Sequence, residues 1–138
     1  MTLESLDKYK EWGPSVLRFV LGSLFVVAGV QKFMMTEGVT GMFSNMLGLP
    51  GGAATVYLVA IIELVGGLMF LTGWNVRVAA IPLTIAMLVA GITMWNAALG
   101  NPDMNGWQAF MQSWSGFLAA AGCASLLLSG PGAAAMKK

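Results

Sequence analysis

Histidine is absent from the 138 residues, and cysteine occurs once, at Cys123. One cysteine cannot close a disulfide within the chain. Thiolate–imidazole metal sites, histidine-ligated haem and Ser-His or Cys-His catalysis are excluded by the same composition. No metal site is therefore expected, and Cys123, set in an Ala-rich run, reads as a small packing residue. Charge is scarce as well: 9% of the residues are charged, against 57% hydrophobic. A water-soluble domain needs roughly a quarter of its residues charged to cover its outside. A net charge of +1 provides no basic surface for nucleic acid. Lipid is the solvent that makes such a composition workable.

What is present is a succession of long apolar runs. Four of them, at about 14–33, 53–72, 76–99 and 106–128, are long enough to cross about 30 Å of hydrocarbon at about 1.5 Å per helical residue. The run that follows the acidic start (Glu4, Asp7, Glu11) ends in Gln31-Lys32 with no small-residue cleavage pattern. It therefore reads as a retained span and not as a signal peptide. Pro14 suits a helix start, Pro82 a tolerated kink, and Leu49-Pro50-Gly51-Gly52 and Ser129-Gly130-Pro131-Gly132 are breakers. Gly73-Trp74-Asn75 and residues 100–105 are tight turns. The longer connection, residues 34–52, carries Val39, Met42, Phe43, Met46 and Leu47 at helical spacing, which predicts a short amphipathic helix at the membrane surface. The expectation is an all-α integral membrane four-helix bundle forming one transmembrane domain over residues 1–138, with that amphipathic helix between its first and second spans.

Orientation follows from the positive-inside rule. Lys8, Lys10, Arg77, Lys137 and Lys138 fall on the side of the termini and Lys32 on the other, so both termini are expected in the cytoplasm and the chain in the cytoplasmic (inner) membrane. The five tryptophans fit interfacial belts or cavity edges. The methionines, 11 in all, form no repeated Met-x-x-Met motif that would hold Cu(I), and read as apolar filler.

Ionisable groups inside a membrane are the first candidates for function. At about 100° per residue, Arg18, Gly22, Phe25, Gly29 and Lys32 share one face of the first helix, which should turn inward with its glycines against a neighbour. Glu63 stands about halfway along the second helix and needs a partner. Arg18 is the first expectation for that partner, with Arg77 as a second, although snorkelling to headgroups fits Arg77 equally well. The third helix aligns Arg77, Thr84, Gly91 and Trp95, and the fourth aligns Gln108, Gln112, Ser115, Ala119 and Gly122. Together with Gln31, Lys32 and Asn96 they suggest a polar, partly aromatic cavity in the outer half of the bundle. Its candidate ligand residues are Gln31, Trp95, Asn96 and Gln112. The other reading of the amides and hydroxyls is plain interhelical bonding, and that of Glu63 a structural ion pair.

Several stretches resemble a known family. Leu17-Arg18-Phe19 with Gly22, then Val27-Ala28-Gly29-Val30-Gln31-Lys32-Phe33, is similar to the opening helix of the DoxX family of small membrane proteins. Met46-Leu47-Gly48-Leu49-Pro50, Ala60-Ile61-Ile62-Glu63-Leu64-Val65-Gly66-Gly67, and Leu71-Thr72-Gly73 leading to Arg77-Val78-Ala79-Ala80 continue the likeness, which runs from about Arg18 to Met94. The resemblance implies four membrane helices and an association with redox metabolism. Members are similar to the small membrane subunit of thiosulfate:quinone oxidoreductase, and others are linked to quinone or catechol stress and to membrane thiol-redox complexes. It marks Arg18, Gly29, Lys32, Glu63, Gly67 and Arg77 as recurring positions, and it carries over no catalytic mechanism.

Two functions follow as expectations. One is an accessory subunit of a quinone-linked membrane redox system. It would have no intrinsic cofactor and no self-contained catalytic motif, it would take a bound quinone or lipid, and its electrons would come from a partner subunit. The other is a non-catalytic subunit that anchors or stabilises a larger membrane complex through small-residue steps on the fourth helix (Gly116, Ala120, Ala124 and Ser115, Ala119, Cys123). A carrier is disfavoured, because no span is discontinuous. Lipid and other membrane subunits are the expected partners.

Overall fold

The computed structural model describes residues 3–41, 44, 50–103 and 105–133, with the side chains of residues 109 and 112 outside that description. A short 3-10 turn at Leu3–Tyr9 leads into α1 (Trp12–Met34), followed by α2 (Thr36–Gly41), α3 (Ala53–Thr72), α4 (Val76–Leu99) and α5 (Gly106–Ser129). No strand occurs among the described residues. The four long helices begin and end within two residues of the apolar runs read from the sequence, and all four are long and apolar enough to span a membrane.

Local chemistry explains where each helix starts and stops. Pro14 sits in the first turn of α1, where a missing N–H costs no helical bond. At the end of α3, Gly73 adopts φ 79° and the N–H groups of Gly73 and Trp74 both donate to the Met69 carbonyl (2.8 and 3.1 Å). Asn75, at φ 47°, then launches α4. The start of α5 carries a reciprocal cap: the Gln108 N–H donates to the Asn105 side chain (2.9 Å), and the Asn105 N–H donates to the Gln108 side chain (3.0 Å). Gln108 is thus committed to a helix end and exposed, away from the cavity expected for it.

The amphipathic helix expected after the first span corresponds to α2, six residues long, in which Val39 and Thr40 are half-buried and Glu37 and Gly38 exposed. Of the other residues in that pattern, Met42, Phe43, Met46 and Leu47 lie outside the described residues.

The bundle is built from two closely packed antiparallel pairs. In the α1–α3 pair, a Cβ added to Gly22 would lie 2.9 Å from the Gly67 carbonyl oxygen, and one added to Gly29 would lie 2.9 Å from that of Ala60. In the α4–α5 pair, a Cβ on Gly116 would lie 2.8 Å from the Gly91 nitrogen. Backbones meet at these points, and this is what small residues provide where lipid supplies no hydrophobic drive. The two pairs close on a core of Leu21, Phe25, Phe70, Leu83, Cys123 and Leu126. Cys123 is fully buried there, as its packing role requires.

About a third or less of the residues in each span are buried within the bundle (28–33%). Outward positions such as Val20, Leu24, Ile61, Val65, Ile85 and Leu118 are apolar and exposed. In water that surface would aggregate, whereas in lipid it is the surface required. Both described ends of the chain and the α3–α4 turn share one end of the bundle, called here the terminal end.

Candidate functional site

The α1–α3 register decides who meets Glu63. With Gly22 opposite Gly67 and Gly29 opposite Ala60, Glu63 stands level with Val26. Lys32 is then about 9 Å along the axis on one side, and Arg18 about 12 Å on the other. Helical side chains lean toward their own N-terminus. In this antiparallel pair Lys32 and Glu63 therefore lean toward each other, and Arg18 and Glu63 lean apart. Lys32 Nζ donates to Glu63 Oε2 at 2.8 Å, with the Lys32 side chain 16% and the Glu63 side chain 4% exposed.

The pairing expected from the sequence, Arg18 with Glu63, is accordingly corrected to Lys32 with Glu63. The helix faces were rightly placed inward, but the direction of lean along the axis had been left out. One residue beyond Lys32, Phe33 stacks on Tyr57 of α3, with ring centroids 5.8 Å apart and an interplanar angle of 29°. Both rings are close to half-exposed at the bundle surface. The site thus combines an ammonium donor, a carboxylate nearly withdrawn from solvent and an aromatic edge.

Arg18 serves the terminal end instead. It is fully buried, and its Nη1 donates to the Phe70 and Leu71 carbonyls at 2.7 and 3.3 Å. Those carbonyls belong to the last turn of α3, where helical donors run out and the helix dipole is negative. From the same guanidinium, Nε donates to the Pro131 carbonyl (3.2 Å) and Nη2 to that of Ala133 (3.4 Å). The Ser15 hydroxyl also donates to the Ala133 carbonyl, and the Ala133 N–H donates to the Glu11 carbonyl (2.8 Å). The segment after α5 is therefore laced onto the start of α1. Nothing in the sequence pointed to this latch, because its acceptors are backbone atoms.

Arg77 is exposed at the terminal end, where its Nη2 donates to the Leu128 carbonyl at 3.3 Å. It is no partner of Glu63. Gln31 and Asn96 are exposed, so the polar cavity expected in the other half of the bundle is not assembled from them. Trp95 is half-buried, and its ring meets Phe110 edge-on at 6.4 Å. The Gln112 side chain lies outside the described residues. Among the described residues no group of three His, Cys, Asp or Glu side chains converges on a point that would hold a metal. The small-residue steps of α5 are mostly spent inside the bundle, since Ala119, Ala120 and Cys123 are buried and Gly116 packs on Gly91.

Comparison with known proteins adds the following. The family model described as DoxX matches residues 13–96, which hold α1 from its second residue, all of α2 and α3, and most of α4. A Bacillus subtilis protein named "Putative oxidoreductase CatD" is 34% identical over 102 residues, covering 72% of this chain and 74% of that protein. An uncharacterized membrane protein of Mycobacterium tuberculosis, Rv3486, is 34% identical over 84 residues, covering 59% of this chain and 52% of its own length. An uncharacterized Haemophilus influenzae protein is 30% identical over 112 residues, covering 75% of this chain and 77% of that protein. No solved structure matches the chain.

Proposed function

The chain belongs to the DoxX family, and from that premise we propose that it is an accessory subunit of a quinone-linked redox system in the cytoplasmic membrane, with both termini in the cytoplasm. The observation that carries this reading is the Lys32–Glu63 pair, set between two helices in the apolar layer. Reduction of a quinone adds protons as well as electrons to its carbonyl oxygens. Lys32 supplies a hydrogen-bond donor, and Glu63, the one carboxyl within the spans, supplies a group able to pass a proton. The Phe33–Tyr57 stack offers an aromatic face beside them for a flat ring. A bound quinone would be held by these four residues and would supply the redox chemistry, with electrons delivered by a partner subunit. The name of the Bacillus subtilis relative, "Putative oxidoreductase CatD", supports the redox class.

Glu63→Gln separates this role from a structural one, because it keeps the shape and removes the exchangeable proton. Quinone-dependent turnover in native membranes should fall on the order of tenfold or more, with the amount of chain in the membrane unchanged. If the chain instead disappears from the membrane, the pair holds the bundle together and the chain is a non-catalytic subunit that stabilises its complex. Full activity at full abundance would contradict both roles for Glu63.

A further inference from the structure

At the terminal end, the α3–α4 turn, the start of α1 and residues 129–132 border an open cavity of about 500 Å³ whose wall is polar and apolar in similar measure. Glu11, Asn75, Arg77 and Val78 line it. Because it lies at the ends of the spans, the membrane reading sets it near the level of phospholipid headgroups. Trp12 and Trp74, both about half-exposed, mark that level at the starts of α1 and α4. The lining includes one residue of each charge sign, Arg77 and Glu11. Arg77 has five N–H donors, and among the described residues its Nη2 donates to the Leu128 carbonyl. Glu11, exposed just before α1, is the acidic residue of the lining, and its backbone carbonyl accepts from the Ala133 N–H.

A second cavity, of about 240 Å³, lies between α3 and α4 and is apolar, lined by Ile61, Val65, Met69, Val78 and Pro82 among others. Val78 lines both cavities, which sets the two side by side along the start of α4. The groove has a physical cause. The α1–α3 and α4–α5 seams bring backbones together at glycines, whereas at the α3–α4 seam the Leu83 side chain covers Gly66 and holds the helices apart. Pro82 also withholds the N–H that the Val78 carbonyl would receive in a regular helix, which leaves an acceptor on the shared wall.

A cavity lined by a cationic and an anionic residue at the ends of the spans, beside an apolar groove, has the outline of one zwitterionic phospholipid. We propose that these two cavities form a binding site for a phosphatidylethanolamine molecule, its phosphate on Arg77, its ammonium on Glu11 and an acyl chain in the α3–α4 groove. The guanidinium suits phosphate as a multi-donor cation. The ammonium brings N–H donors to the Glu11 carboxylate, whereas an anionic headgroup such as phosphatidylglycerol would set its charge beside that carboxylate with nothing to donate in exchange. The site rests on the membrane reading alone and is independent of the redox role of Lys32 and Glu63.

The test is native mass spectrometry of the delipidated full chain in detergent, titrated separately with dioleoyl phosphatidylethanolamine, dioleoyl phosphatidylglycerol and soluble glycerophosphoethanolamine. One phosphatidylethanolamine per chain is expected, bound more tightly than phosphatidylglycerol. Arg77→Gln should weaken it at least tenfold, while Arg77→Lys, which keeps the charge, should retain more of the binding. Glu11→Gln should bring the two lipids to similar affinity. Val65→Trp, filling the groove from its exposed side, should weaken both lipids and leave glycerophosphoethanolamine binding unchanged. Equal binding of phosphatidylethanolamine by wild type and Arg77→Gln would overturn the proposal, as would a wild-type preference for phosphatidylglycerol. Glycerophosphoethanolamine binding as tightly as the lipid would assign the cavity to soluble phosphate esters instead.

Discussion

A buried guanidinium is costly unless its donors are met, and Arg18 shows how a membrane bundle meets them. Its N–H groups reach carbonyls at the end of α3 and carbonyls just past the end of α5, so one side chain joins three parts of the chain. The planar fork matters here, since a single ammonium cannot address acceptors in both directions. Arg18→Lys should therefore lower stability by about 2 kcal/mol or more. That loss should appear as a reduced midpoint of thermal unfolding in detergent, together with faster amide exchange at Gly132 and Ala133. Unchanged exchange there would mean that Ser15 and the Glu11 carbonyl suffice as the latch. Lys32 and Glu63 follow a different logic: they neutralise each other between two helices, and Glu63→Gln keeps an acceptor for the Lys32 ammonium, whereas Glu63→Ala leaves it stranded.

Among the helices, the glycine seams fix how closely the elements approach. Gly67→Ala would place a Cβ 2.9 Å from both the Gly22 carbonyl oxygen and the Val26 nitrogen, backbone atoms that cannot step aside. A cost of roughly 1–3 kcal/mol is expected, seen as a lowered unfolding midpoint, whereas Gly13→Ala, with nothing within 4 Å, should leave it in place. The helices themselves were legible in the sequence, because length and hydropathy are all that a span requires. So was the inward face carrying Arg18, Gly22, Gly29 and Lys32, since angular position around a helix follows from residue number. The partner of Glu63 was misread because angle alone ignores the tilt of side chains toward the helix N-terminus, a signal that was available. The latch was not available, as residue types do not encode which backbone carbonyls will lack donors. Asn105 and Gln108 stood at cap spacing in plain view, yet Gln108 was counted toward a cavity. Gln31 and Asn96, read as lining that cavity, face outward.

At the scale of the molecule, two tight helix pairs meet along looser seams, which places different properties in different parts of the bundle. The α1–α3 pair holds the ion pair and the aromatic stack, the α3–α4 seam holds the lipid-shaped groove, and the terminal end is tied by Arg18. The residues that match the DoxX family hold the ion pair, the aromatic stack, the α3–α4 groove and Arg18, and leave out Glu11, α5 and the segment after it. An accessory redox subunit needs such a division: a rigid frame, a site within the apolar layer and contact with lipid and partner chains. The most direct measurement is purification of the chain from its native membranes in mild detergent, with identification of whatever co-purifies and extraction of bound quinone. The account predicts a redox protein in stoichiometric amount with quinone retained, and less quinone retained by Glu63→Gln. A stoichiometric partner without redox cofactors, and no quinone, would contradict it and leave the Lys32–Glu63 pair as a fastener of the bundle.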